Sequence, residues 1–200
     1  GPMTGPHRDL FGAPMHEHGK RTEGDSYYTP DRIAEGLLNL LPIAAGERVL
    51  EPHAGGGAFC RAARKKTVNV FAMDIDPSAP AMTDPRFTSA VGDFLEADTE
   101  DVFETRFDWV VGNPPYHNAD EHVEHAIREN AADVAFLLRL GFLASQKRAP
   151  FFRKYPPHMV WVLTKRPSFT GKGTDQYDYA FIWWNPCVDR VFPELASVTF

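Results

Sequence analysis

Three features of the sequence predict an α/β fold, a doubly wound and mostly parallel sheet with helices on both faces. Apolar runs of strand length recur along the chain, as at Val49-Leu50, Val68–Met73 and Phe107–Val111. Segments with helical spacing separate them. Glycine- or proline-containing turns close several of these runs, among them Gly55-Gly56-Gly57, Asp76-Pro77 and Gly112-Asn113-Pro114-Pro115. The 200 residues are one ordinary domain in length, and a hydrophobic content of 43% is enough for a packed core.

The elements follow in order. Residues 1 to about 26 are polar, rich in Gly, Pro and His and without periodicity, and are expected to form a flexible arm. Within them, Gly1-Pro2 before Met3 reads as a cloning remnant. Residues 27–200 are expected to form the single domain. Thr29 is placed to cap a helix with Pro30 in its first turn, Ile33, Leu37, Leu38 and Leu41 on its apolar face, and Pro42 as its stop. Val49-Leu50 is the first strand, and the triple glycine leads into a helix over Ala58 to Lys66. Val68–Met73, Phe87–Val91 and Phe107–Val111 are the next three strands. A helix is expected over Ala119–Asn130. Val134–Leu140 reads as a fifth strand, although a helix also fits this run. Phe142–Tyr155 alternates as a basic amphipathic helix, Met159–Leu163 is a sixth strand and Tyr179–Trp184 a seventh. The polar, glycine-containing segment Ser168–Asp178 is expected to be a mobile loop.

Composition narrows the function. With 21 Lys and Arg against 27 Asp and Glu, the formal net charge is −6, which excludes a uniformly basic nucleic-acid coat. The charge is unevenly spread. Val134 to Thr174 contains no Asp or Glu but holds Arg139, Lys147, Arg148, Arg153, Lys154, Lys165, Arg166 and Lys172. That is 8 of the 21 cations, and it reads as a local face for an anionic ligand, or as solvated helix faces. Two cysteines, Cys60 and Cys187, cannot make a disulfide framework. No apolar run approaches the roughly 18 residues of a membrane span, and no signal peptide is visible. A cytoplasmic or other intracellular location without membrane attachment is expected.

The chemistry is concentrated where strands end. In Val49-Leu50-Glu51-Pro52-His53-Ala54-Gly55-Gly56-Gly57-Ala58-Phe59 a strand runs through glycines into a helix, the place for a ligand crevice in a doubly wound sheet. Glu51 there repels phosphate and suits a cationic or hydroxyl-bearing ligand. Asp74, ending strand two, is placed to accept both hydroxyls of a ribose, and Ile75 to pack on an adenine face, while Asp76 reads as a cap. Asp93 can accept from an adenine amine and Phe94 can stack on the ring, although both also suit a turn. In Gly112-Asn113-Pro114-Pro115-Tyr116, the prolines fix the backbone and remove two N–H donors. The side-chain oxygen of Asn113 and the carbonyl of Pro114 can then accept both hydrogens of one planar –NH2 group. Holding them out of the ring plane localises the nitrogen lone pair. Tyr116 offers a face on which a planar substrate stacks.

In this order the residues resemble the class I S-adenosylmethionine-dependent amino-methyltransferases of the N-P-P-Y type, and among them the DNA adenine N6-methyltransferases. The resemblance runs from Tyr28 to about Trp184. Tyr28-Thr29-Pro30 matches the cofactor motif ahead of strand one, Glu51 to Phe59 the glycine-rich motif, Asp74 the ribose-binding acid, Asp93-Phe94 the adenine-binding pair and Asn113–Tyr116 the catalytic loop. It implies a seven-stranded, Rossmann-like sheet whose last strand, Tyr179–Trp184, is antiparallel. It also implies direct in-line attack of an amine on the sulfonium methyl, with S-adenosylhomocysteine as product. The enzyme's part would be positioning and electrostatics, and on duplex DNA the target base would be flipped out. The family's aromatic after strand six falls on Phe169, with Trp183 as second candidate. Lys147, Arg148, Lys165, Arg166 and Lys172 are the candidate nucleic-acid contacts, with DNA favoured over RNA.

Two departures matter. His53 stands where the family commonly has a small residue, and reads as a loop histidine touching nothing. A target-recognition domain usually follows the last strand, whereas 16 residues follow Trp184. Sequence readout would then fall to the 168–178 loop, the arm or a partner subunit. The alternatives are adenine N6 methylation of RNA, with or without a partner subunit, methylation of a protein glutamine, and a non-catalytic cofactor-binding subunit. His122 and His125, flanked by Glu121 and Glu124, read as an ordinary charged helix face, so no metal site is expected, and Cys60 reads as a small packed residue.

Overall fold

The structure is a computed structural model, and it describes residues 29–130, 132–164, 177–189 and 193–200. Eight strands, β1 (Val49–Glu51), β2 (Val70–Asp74), β3 (Thr88–Val91), β4 (Trp109–Gly112), β5 (Asp133–Arg139), β6 (Met159–Leu163), β7 (Tyr179–Trp184) and β8 (Glu194–Val198), form one sheet in the order β3-β2-β1-β4-β5-β7-β6-β8. The pairs β1–β2, β1–β4, β2–β3 and β4–β5 are parallel. Strand β7 runs antiparallel to both β5 and β6, and β8 is parallel to β6. The expected doubly wound sheet is present, with eight strands where seven were expected.

Five α-helices accompany it: α1 (Asp31–Leu38), α2 (Ala58–Arg64), α3 (Thr99–Phe103), α4 (Ala119–Asn130) and α5 (Ala149–Lys154). Ile33, Leu37 and Leu38 of α1 and Phe59 and Ala63 of α2 pack with Val49, Val111 and Leu137 in one apolar cluster. Val123 and Ala126 of α4 share the other with Leu50, Val110, Phe136 and Ile182. Alternate residues of the strands thus feed opposite faces, and β5, buried along its centre, reads as a continuous apolar run for that reason. Chain order reverses across β1 and β4, so their carboxyl ends open the crevice that this class of sheet uses for ligands.

The structure departs from expectation in four places. Helix α1 starts one residue later: the carbonyl of Pro30 accepts the amides of Ile33 and Ala34, and Thr29 makes no side-chain cap. The continuous helix over Phe142–Tyr155 is absent. Two 3-10 turns, Leu140–Ala144 and Gln146–Arg148, precede α5. Pro150 explains the break, since proline fits the first turn of a helix but not its interior. Helix α3 is not among the expected elements, although the Asp98 carboxylate caps it by accepting the Asp101 amide at 3.1 Å. Nor is β8, an edge strand that keeps Leu195 72% exposed and therefore lacks an apolar signature. The arm over 1–26 and most of the 168–178 segment lie outside the described residues. Among the described residues no helix is long and apolar enough to cross a membrane.

Candidate active site

The crevice is held together by backbone and carboxylate contacts between sequence-distant loops. Glu51, 2% exposed at the end of β1, accepts the His53 amide at 2.7 Å. Its carboxylate also lies against Gly112 at the end of β4: a Cβ at 112 would stand 2.5 Å from its Cδ and 2.6 Å from its Oε2. Gly112 has φ +147°, a backbone conformation that other residues rarely adopt. Glycine is thus needed there on two counts.

Asp74, buried at the end of β2, accepts the Gly55 amide at 2.8 Å and the Asp76 amide at 2.9 Å, one on each carboxylate oxygen. The glycine loop is pinned further by Ala54 N–H to the Met73 carbonyl and by Arg61, which donates to the Gly56 carbonyl at 2.7 Å and pairs with Asp31 of α1. Pro52 and Phe59 are buried beneath it. Gly57 turns the chain into α2 at φ +89°. Beside Asp74, Ile75 is 50% exposed and offers open apolar surface. Asp76 accepts the Ser78 amide and hydroxyl, closing a turn. Asp93 is exposed and accepts the Leu95 amide at 3.0 Å.

Asn113 is buried at the start of the N-P-P-Y loop. Its Nδ2 donates to the Thr29 hydroxyl at 3.5 Å, the outer limit of a hydrogen bond, while its Oδ1 has no hydrogen-bond partner among the described residues. A buried amide oxygen left this way is costly unless something accepts the role of donor. Pro114 is buried and Pro115 exposed. Tyr116 is half-buried, its ring edge-on to Phe142 and flanked by Arg139 and Arg148.

Phe94 is placed differently from expectation. It is 1% exposed, with His122 stacked at 5.9 Å and His125 edge-on at 4.7 Å, so in this arrangement its ring faces protein and Ile75 is the open apolar side chain. His53 belongs to the same cluster, its ring 4.6 Å from that of His122, and does not stand free in a loop. His122 is buried, not part of a charged face. It lies within hydrogen-bond reach of the Asn118 carbonyl at 2.9 Å, and burial pushes its pKa down to about 4. The spacing Ala119, His122, Ala126 carried this signal, because it puts His122 on the packed stripe of α4. Cys60 is buried, which with nearby Glu51 raises its pKa and leaves it a packed thiol.

Trp183 is not at the site. Because β7 is antiparallel, Trp183 pairs with Ala135 near the start of β5, and its indole donates to Asp133 at 2.8 Å, at the end of the sheet away from Asn113. Lys147 is exposed on a 3-10 turn beside Arg148. Tyr28, Lys165, Arg166, Phe169 and Lys172 lie outside the described residues. Arg139 and Tyr177 are new. Arg139 was read only as one cation of the basic stretch, yet its place at the carboxyl end of β5, beside β4, brings it to Tyr116.

The strand order and the crevice between β1 and β4 are those of the Rossmann-like S-adenosylmethionine-dependent methyltransferase fold. No protein-family model matches the chain. One curated relative, the type II methyltransferase M.CvrRI of Paramecium bursaria Chlorella virus XZ-6E, is 29% identical over 110 residues, which are 53% of this chain and 28% of the relative. The type I restriction enzyme EcoKI M protein superposes with a TM-score of 0.66 at 15% identity, over 87% of this chain and 48% of its own. The 23S rRNA methyltransferase ErmE superposes with a TM-score of 0.62 at 17% identity, over 84% and 71%. The chain thus spans little more than a quarter of the curated relative and about half of the EcoKI protein.

Proposed function

We propose that the chain transfers a methyl group from S-adenosylmethionine to an exocyclic amine, adenine N6 in DNA. The observation that carries this reading is Asn113: a buried amide oxygen without a donor among the described residues, at the head of a loop stiffened by two prolines and followed by an aromatic ring. An –NH2 group supplies the missing donor. With Asn113 Oδ1 and the Pro114 carbonyl accepting its two hydrogens out of the ring plane, its lone pair is localised on nitrogen, while Tyr116 holds the ring by stacking.

The crevice fits the cofactor. Asp74 keeps acceptor capacity beyond its two backbone amides, enough for ribose hydroxyls. Ile75 offers an apolar face for an adenine, and Asp93 an exposed carboxylate for its amine. Glu51 and the backbone from Pro52 to Gly57 would hold the amino-acid end, and Thr29 orients Asn113. When bound, S-adenosylmethionine supplies the electrophilic methyl of a sulfonium, which the amine takes by direct displacement. No residue of the chain needs to become covalently attached.

The type II methyltransferase relative and the EcoKI M protein favour DNA. The ErmE neighbour supports a second reading, RNA, on the same chemistry. The test is transfer of labelled methyl to unmethylated duplex DNA, single-stranded DNA and total RNA in parallel, with nucleoside analysis. Methyladenine in DNA is expected. Label confined to RNA selects the second reading, and label in neither while cofactor binds sinks both.

A further inference from the structure

Tyr116 has two guanidinium groups against its ring, the Cζ atoms of Arg139 and Arg148 each lying 5.1 Å from the ring centroid. The two arginines are held differently. Arg139 comes from the end of β5 and is stacked closely on Tyr177, at 3.7 Å. Arg148 comes from a 3-10 turn, lies over Phe142 at 4.6 Å and reaches the Tyr116 carbonyl with Nη2 at 3.4 Å. Among the described residues no carboxylate pairs with Arg148, and the sequence around it carries no acid from Val134 to Thr174. A cation without a counter-ion, resting on the ring that is to receive the substrate, is an exchangeable occupant. A base stacking on Tyr116 competes for that ring and brings a phosphate with it. Arginine's planar fork matches a phosphate better than it matches an aromatic face.

We propose that Arg148 is the phosphate contact of the target nucleotide, leaving the Tyr116 ring as the base arrives and pairing with that nucleotide's own backbone. Arg139, fixed on Tyr177, stays and steadies the ring. The inference rests on the nucleic-acid reading above and adds to it the residue that couples backbone binding to base entry. It also gives an acidic chain a local hold on a polyanion, with Arg139 and Arg148 both beside the Tyr116 ring.

The test is the salt dependence of binding. Anisotropy of a fluorescein-labelled single-stranded deoxyoligonucleotide is titrated with the full chain at several salt concentrations. For single strands each phosphate neutralised contributes about 0.7 to the slope of log K against log salt. Arg148→Gln is expected to lower the slope by about that amount and to weaken binding several-fold at low salt. Arg148→Lys, which keeps the charge, is expected to keep the slope. Arg106→Gln removes an exposed cation paired with Glu100 near the amino end of β4, at the other end of the sheet, and is expected to behave as wild type. A wild-type slope in Arg148→Gln, or an equal loss in Arg106→Gln, overturns the proposal. Wild-type protein that binds neither DNA nor RNA oligonucleotides overturns the nucleic-acid reading itself, a different result from the first.

Discussion

The carboxylate of Glu51 fills the space that a side chain at Gly112 would need. The end of β1, which opens the glycine loop, and the end of β4, which opens the N-P-P-Y loop, are thereby fitted to each other. Gly112→Ala places a Cβ on that carboxylate and forces an L residue into φ +147°. We expect a stability loss of about 1–3 kcal/mol from the strained backbone alone, read by chemical denaturation, with impaired methyl transfer. In a Glu51→Ala background the same substitution is expected to cost less. Equal costs in both backgrounds would show that the two residues are uncoupled.

Asn113→Ala removes the buried acceptor without touching Asp74 or the glycine loop. Cofactor binding by calorimetry is expected to stay near wild type while the rate of methyl transfer falls more than ~100-fold, as for other polar contacts to a transition state. Near-normal turnover would move the amine site elsewhere.

Asp74→Asn keeps the size of the side chain and removes its charge. Because Asp74 both accepts the Gly55 amide and is offered to the cofactor, affinity for S-adenosylhomocysteine is expected to fall by roughly 10- to 100-fold, the scale of a charged hydrogen bond. Unchanged affinity would displace the ribose site from β2.

His122 gives a pH signature. Its folded pKa, about 4, lies below the ordinary value of 6.5, so the unfolded chain binds the extra proton first. Stability from this residue is present above about pH 6.5 and is lost as pH falls toward 4, by up to about 3 kcal/mol. Thermal unfolding between those limits is expected to show that loss in wild type and a reduced one in His122→Phe. Identical pH profiles would mean that His122 is not buried neutral.

The places that make up the candidate site were legible because they are local. Glu51, Asp74, Asp93 and Asn113 each lie at or just past the end of an apolar strand, and period and punctuation suffice to find such places. What was missed depends on pairing. Thr29 reads as a cap until α1 is laid beside β4, where its hydroxyl meets Asn113 across 84 residues. His53 reads as a free loop residue until α4 brings His122 to it. Trp183 was a poor candidate on direction alone, since reversing the last strand carries its carboxyl end away from the crevice. The run Phe142–Tyr155 reads as one helix unless Pro150 is taken as marking a first turn.

The reversed strand also bears on how the sheet is closed. Strand β7 lies between β5 and β6 yet follows both in the chain, so β6 and its outer neighbour β8 reach the rest of the sheet only through β7. A nascent chain can complete β1 to β5, and with them the carboxylates and the N-P-P-Y loop, while β5 still shows an open edge. That edge is apolar on both faces and is the place where premature pairing with another copy would begin. Sealing that edge falls to a strand late in the chain, and it sets Tyr179 against Arg139, beside the mouth of the candidate site.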